Sequence, residues 1–308
     1  MGSLNINGMA PATILPMTKD FAPDFPSFRG YLEWLISQNA LAFAVNMDTG
    51  EGPQLTVQER LEVVRVAAEV SKGRFPVLAG LAGGATTDAV TLAKRYTEAG
   101  ADALVVFPNA AFRNQPLDPR IPVNYHRAIA DESGLPLVLF QLAPVFGGVN
   151  YTRSTLLQLL KIPQVIGIKE ASFDAQYFTY TVETLAMADR PITLLSGNDR
   201  FITESFLLGA TGALLGFAAI GCGLVAKQIA ALQQGDLKTL VKLRPTVQGF
   251  ADHIYKDPVL DYRARCKAAL ARIGVIDQSR IYVRPPLFEV PEDEFPVLDE
   301  VLRKAGML

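Results

Sequence analysis

The chain has 308 residues, 49 % of them hydrophobic and 19 % charged, which is enough apolar material for one large domain or two ordinary ones folding without disulfide or metal staples. Its 29 Lys and Arg against 31 Asp and Glu leave a formal charge of -2, excluding a general electrostatic pull toward nucleic acid or anionic membrane and favouring a small-molecule partner. Cys222 and Cys266 are the only cysteines and His126 and His253 the only histidines, so the residues argue against a disulfide framework, a zinc site or a histidine-based triad and imply a reducing, cytoplasmic setting.

The opening segment "MGSLNINGMAPATILPM" lacks a basic stretch joined to an apolar one, and no apolar run reaches the roughly 20 residues of a membrane helix. Strand-like apolar runs then recur at 10–17, 41–48, 75–83, 101–108, 135–142, 165–172, 192–199 and 211–218. Between them lie segments of helical periodicity, among them "TVQERLEVVRVAAEVSK" and "TDAVTLAKRYTEAG", the latter ending in a glycine of the helix-stop type. Eight alternations of strand and helix over about 220 residues predict a closed (β/α)8 barrel across 1–225. No GxGxxG follows the first run, which weakens a dinucleotide-binding alternative. Beyond 225 the strand signal ends, and helical stretches near 226–256, 258–273 and 292–305 predict a C-terminal helical appendix over 226–308.

Within the sixth run, "VIGIKEAS", Lys169 sits where the apolar stretch closes. A barrel places it near the C-terminal strand ends where active sites of this architecture are built. Strand alternation puts it on one side with Gly167 and Val165 and turns Glu170 away. A desolvated lysine favours its neutral amine, which can attack a carbonyl to form a Schiff base. The alternative is a lysine that ends a strand and reaches solvent or a carboxylate. The residues alone leave both open.

The motif "GIKEAS" resembles the Schiff-base lysine motif of the dihydrodipicolinate synthase and N-acetylneuraminate lyase family of class I aldolases, with Lys169 as its lysine. "GMAPATILPM", "DTGEGPQLT", "LLSGND", "GATGALLG" and "KAALARIGVI...VRPPL" are similar to further family segments, spanning nearly the whole chain. The resemblance implies an eightfold barrel with C-terminal helices, assembled as a homodimer or homotetramer. It implies an imine between Lys169 and pyruvate or another 2-oxo acid, no metal or organic cofactor, and substrate-binding positions at Asp48, Thr49, Phe140, Gly197 and Leu214.

Several positions depart from the family pattern. Asp48 replaces one of the paired threonines that bind the substrate carboxylate, and its charge would oppose a pyruvate carboxylate unless it is protonated, turned away or hydrogen-bonded; capping the following turn is the simpler role. Phe140 stands where a proton-shuttling tyrosine is usual, with Gln141 after it, and Phe107, Pro108, Asn109 and Ala110 replace a second tyrosine motif. No arginine equivalent is found in "APVFGGVNY". Acid–base assistance is worth about 10² to 10⁴ in rate, so dihydrodipicolinate synthesis is expected to be poor and the substrate altered. Asp48, ordered water or Tyr151 are the candidate proton carriers. His126 reads as a helix-surface histidine, Gly147 and Gly148 as a turn or a loop over the pocket, and the glycines of "GLAGGATTD" as turn formers, the alternative being an anion site at the next helix N-terminus. The chain is thus expected to be a Schiff-base carbon–carbon lyase or aldolase, or a related hydratase or dehydratase, acting on a 2-oxo acid or related carbonyl compound, the alternative being a family member that has lost catalysis and binds small molecules or serves assembly.

Overall fold

The computed structural model describes residues 4–113 and 116–308. The first three residues of the segment read for a targeting signal lie outside them. Among the described residues seven parallel strands form one sheet in chain order: β1 (Phe43–Val45), β2 (Val77–Leu81), β3 (Ala103–Val106), β4 (Leu137–Leu142), β5 (Val165–Ala171), β6 (Thr193–Ser196) and β7 (Gly212–Ala213). Each is almost wholly buried, as the near-continuous apolar runs require for a sheet covered on both faces.

Eight runs were expected to give eight strands, and the first gives none. Residues 8–13 instead run between β7 and β1 as isolated parallel bridges, Met9 to Ala213 and Ala12 to Ala44. The Ala10 N–H donates to Ala213 O at 2.9 Å, and Thr13 N–H donates to Ala44 O at 3.0 Å. Pro11 has no N–H to continue a ladder, which accounts for the broken pairing.

The connecting helices are α1 (Phe25–Ser37), α2 (Val57–Ser71), α3 (Thr86–Ala99), α4 (Arg120–Ser133), α5 (Arg153–Leu160), α6 (Ala175–Leu185) and α7 (Ile202–Leu208). Their ends follow local chemistry. Thr56 and Glu59 form a reciprocal capping box at the start of α2, and Gly100, at φ 99, closes α3 in the left-handed region. On the inner face of the curled sheet small side chains (Ala10, Ala12, Ala44, Ala103) interlock with Leu78, Val105, Val138, Leu195 and Leu214. A larger apolar layer seals the outer strand faces under the helices.

Four helices complete the chain: α8 (Ala218–Gln233), α9 (Leu237–Ile254), α10 (Tyr262–Arg272) and α11 (Phe295–Lys304). The division expected after residue 225 falls within α8. The stretch expected at 226–256 is broken at Gly235, whose φ of 69 turns the chain out of α8. Helix α10 is buried over Tyr262–Leu270 and carries charge inward: Lys267 meets Glu51 at 2.5 Å, and both are almost fully buried.

His126 departs from its expected surface position. It is fully buried on α4, stacked with Phe112 at 6.0 Å, and its Nδ1–H donates to Pro122 O at 2.7 Å. Burial pushes its pKa down to about 4, so the ring is neutral. The apolar positions of α4 recur so that His126 falls on the inward stripe beside Tyr125 and Ile129.

Candidate active site

The strand that carries Lys169 is irregular at its start. The β4–β5 pairing passes from Leu137–Val165 to Val138–Gly167, so Ile166 is an extra residue. Val165 therefore packs in the outer layer, correcting the expectation that it shares a side with Lys169. Gly167 and Lys169 do face inward. Lys169 is in register with Phe140 on β4 and Leu195 on β6.

Its Nζ lies 4.2 Å from the centroid of the Phe140 ring and, among the described residues, has neither a hydrogen bond nor an ion pair. Its stem crosses Gly197, where a Cβ would sit 2.7 Å from Lys169 Cε, so that position tolerates nothing larger than glycine without displacing the lysine. Burial pushes the amine down to about 8, against the pull of Asp199 and Asp48. Glu170 points away as expected, its carboxylate accepting from Ser172 N–H at 3.1 Å and from Asn198 Nδ2 at 2.6 Å.

Lys169 opens into a cavity of about 560 Å³ with two unlike walls. The polar wall joins the loop after β1, the segment after β6 and the start of α10. Arg263 closes on the Asp48 carboxylate and donates from Nε to Asp48 O at 2.8 Å, while Tyr262 OH donates to Asp48 Oδ2 at 3.1 Å. Thr49 Oγ1 lies 3.4 Å from Tyr262 OH. Asp48 does not cap its turn; its charge is met by Arg263, which removes much of the expected repulsion of a substrate carboxylate.

Asp199 completes this wall. It is buried, accepts from Phe217 N–H at 2.8 Å and is hydrogen-bonded by the Tyr255 phenol. Burial pushes it up to about 6, against these hydrogen bonds and the Lys169 charge. Tyr255 stacks on Tyr262 with centroids 4.7 Å apart. The approach of its hydroxyl depends on Gly216, where a Cβ would lie 2.0 Å from that oxygen.

The apolar wall rises from the ends of β3, β4 and β5. Phe107 and Phe140 meet edge to face at 5.1 Å, and Phe146 and Phe173 at 5.4 Å, with Leu142 and Val145 between. Arg113 and Arg200 stand exposed at the mouth. Gly147, at φ 76, makes the turn beside Arg113.

Of the positions expected from sequence, Lys169, Asp48, Thr49, Phe140 and Gly197 line the cavity. Leu214 does not: it is fully buried in the inner apolar layer, two residues before the lining Gly216. Tyr151 is also elsewhere. It is buried against Phe112 on the outer side, where burial raises its pKa far above the ordinary value, so it is no proton carrier for this cavity. Sequence reading missed Asp199, Tyr255, Tyr262, Arg263 and Phe173. Asp199 follows Gly197 by two residues and was within reach; the α10 residues lie more than 90 positions from Lys169 and carry no local signal.

The family model described as "Dihydrodipicolinate synthetase family" matches residues 5–305. A 4-hydroxy-tetrahydrodipicolinate synthase from Leptothrix cholodnii is 29 % identical over 304 residues, covering 98 % of this chain and 99 % of the relative. One from Ralstonia nicotianae is 30 % identical over 306 residues, with 98 % and 99 % covered. Among solved structures, a dihydrodipicolinate synthase from Bacillus anthracis superposes with a TM-score of 0.85 at 26 % identity, covering 97 % of this chain and 98 % of that one. The chloride-inhibited enzyme from Acinetobacter baumannii, complexed with pyruvate, superposes at 0.84 and 25 % identity, covering 99 % and 100 %. The match over nearly the full length, together with a buried lysine at the strand ends, leads to one conclusion: the chain belongs to the dihydrodipicolinate synthetase family.

Proposed function

We propose that the protein is a class I lyase or aldolase in which the Lys169 amine condenses with the carbonyl of pyruvate or a similar 2-oxo acid, forming a C=N bond and releasing water. The observation that carries this reading is the amine itself: buried, unpaired, directed into the cavity and pushed down to about 8, so that its nucleophilic form is populated near neutrality. The pyruvate complex of the Acinetobacter baumannii relative supports the choice of 2-oxo acid. Residues 8–13 act in this proposal as the eighth element closing the barrel, and the helices after residue 225 as its appendix.

The imine withdraws electrons from the adjacent carbon, which loses a proton to become an enamine. With phenylalanine at 107 and 140, the tyrosine chemistry usual for the family is absent from that wall, and Asp199 with Tyr255 takes its place across the cavity. A carboxyl at about 6 exchanges protons readily at neutral pH, and the phenol holds its geometry. Asp48, the earlier candidate, is engaged by Arg263 and Tyr262 instead. Thr49 and the cations at the mouth receive the substrate carboxylate.

Homo-oligomerisation belongs to the same proposal. Leu237 and Val241, one turn apart on α9, are both about half exposed, an apolar stripe suited to self-association, and sedimentation velocity tests it. Among the described residues no helix is long and apolar enough to cross a membrane.

The functional test is borohydride reduction in the presence of pyruvate, read by intact mass in wild type and Lys169→Ala. An adduct confined to the wild type is expected. Its absence from the wild type across a panel of 2-oxo acids would favour a family member that binds without catalysing.

A further inference from the structure

Lys169 stands between a wall rich in charge and hydrogen-bonding groups and an apolar wall whose one charged neighbour is the exposed Arg113 beside Gly147. All acidic side chains lining the cavity, Asp48 and Asp199, belong to the first and are already engaged there, Asp48 by Arg263 and Asp199 by Phe217 N–H and Tyr255. The second wall is built from Phe107, Phe140, Leu142, Phe146 and Phe173, four of them paired edge to face. An aldehyde bearing an ammonium group would have no partner on that side. One bearing a flat or branched hydrocarbon would pack it against these rings.

Phe173 shows that this wall is held in place against a local cost. Its backbone sits at φ 56, in the left-handed region that a bulky side chain rarely adopts. It is pinned there by its own N–H, which donates to Asn198 Oδ1 at 2.8 Å, and its half-buried ring projects over the cavity against Phe146. Glycine or asparagine would meet the backbone requirement with less strain, so the ring must contribute something the turn does not need.

Resting on the imine reading above, we propose that the wall formed by β3, β4 and β5 is the binding site for the second substrate, an aldehyde carrying an aryl or branched alkyl group, and that Phe173 sets this specificity. The chemistry balances without a cofactor. The enamine carbon of the Lys169-bound 2-oxo acid forms a C–C bond to the aldehyde carbon, the aldehyde oxygen takes up a proton, and water hydrolyses the iminium, returning the lysine amine and releasing a 4-hydroxy-2-oxo acid. Cleavage is the same path reversed.

The experiment uses the full chain with pyruvate and, separately, benzaldehyde, isovaleraldehyde, glyceraldehyde and aspartate semialdehyde, following the 4-hydroxy-2-oxo acid by chromatography. The apolar aldehydes are expected to exceed the polar ones in kcat/KM by about 10²-fold. In Phe173→Asn, a residue suited to the positive φ, the benzaldehyde-to-glyceraldehyde ratio should fall about tenfold. Because the readout is a ratio within one variant, partial loss of folded protein leaves it unchanged. Leu142→Asn supplies an independent change on the same wall with the same expected direction. A polar aldehyde turned over as well as benzaldehyde, or a ratio unmoved in both variants, overturns the aldehyde assignment while a borohydride-trapped pyruvate adduct leaves the imine reading standing. A wild type that traps no pyruvate removes both.

Discussion

The amine of Lys169 faces the ring of Phe140, its register neighbour on β4, while Asp199 acts on it from across the cavity. Both favour the ammonium form, whereas burial opposes it. The neutral amine needed for imine formation accumulates as pH rises through its value of about 8. Borohydride trapping of pyruvate should therefore accelerate with pH and level off above that value. Asp199→Asn and Phe140→Leu each remove a group that stabilises the cation, so the midpoint should move down, by about half to one unit for Phe140→Leu. A midpoint that rises in either variant contradicts the assignment.

Gly197→Ala tests how closely the lysine is held. The new Cβ would lie 2.7 Å from Lys169 Cε and 2.9 Å from the Ala171 Cβ, so the stem must shift. A displacement of this order costs about 10²-fold in kcat/KM when reacting groups lose alignment. Steady-state kinetics and a melting curve together check it: activity should fall much further than stability.

The Lys267–Glu51 pair ties α10 to the loop that carries Asp48. Glu51 also accepts from Arg284 N–H at 2.7 Å, so neither charge is left bare. Lys267→Met strands a buried carboxylate and should cost about 3 to 5 kcal/mol in urea unfolding. Adding Glu51→Gln removes that charge while keeping an acceptor, and should restore most of the loss.

His126 predicts an acid weakness unrelated to the cavity. Its folded value of about 4 lies below its ordinary 6.5, so the unfolded chain takes up the proton first as pH falls. Stability is full above 6.5, declines between 6.5 and 4, and the contribution at stake is roughly 3 kcal/mol. Denaturant titrations at pH 7 and pH 4.5 should differ less in His126→Gln than in the wild type.

How much of this was legible beforehand differs by element. The sheet order and the helices between strands follow from apolar runs and periodicity, which are local properties. The first run failed as a strand because Pro11 removes a ladder donor, a detail that an average over apolarity does not weigh. Lys169 was readable because a lysine closing a buried strand is conspicuous. Val165 was misplaced because a one-residue bulge at Ile166 reverses alternation. Tyr255, Tyr262 and Arg263 were invisible because only the folded chain brings them to Asp48, Thr49 and Asp199. His126 was misjudged because the general surface habit of histidine was weighed above the apolar periodicity of α4, which puts it on the inward stripe.

Arg263 and Lys267, one turn apart on α10, hold Asp48 and Glu51, some 200 residues earlier in the chain. During synthesis the ribosome therefore releases the lysine and the phenyl wall long before the helix that completes the opposite wall. A nascent chain short of residue 262 carries Lys169 and the Asp48 and Glu51 carboxylates but not the two cations that meet those carboxylates. The polar wall is thus completed only with the last part of the polypeptide, and until then two carboxylates destined for low solvent exposure or close pairing stand without their cations.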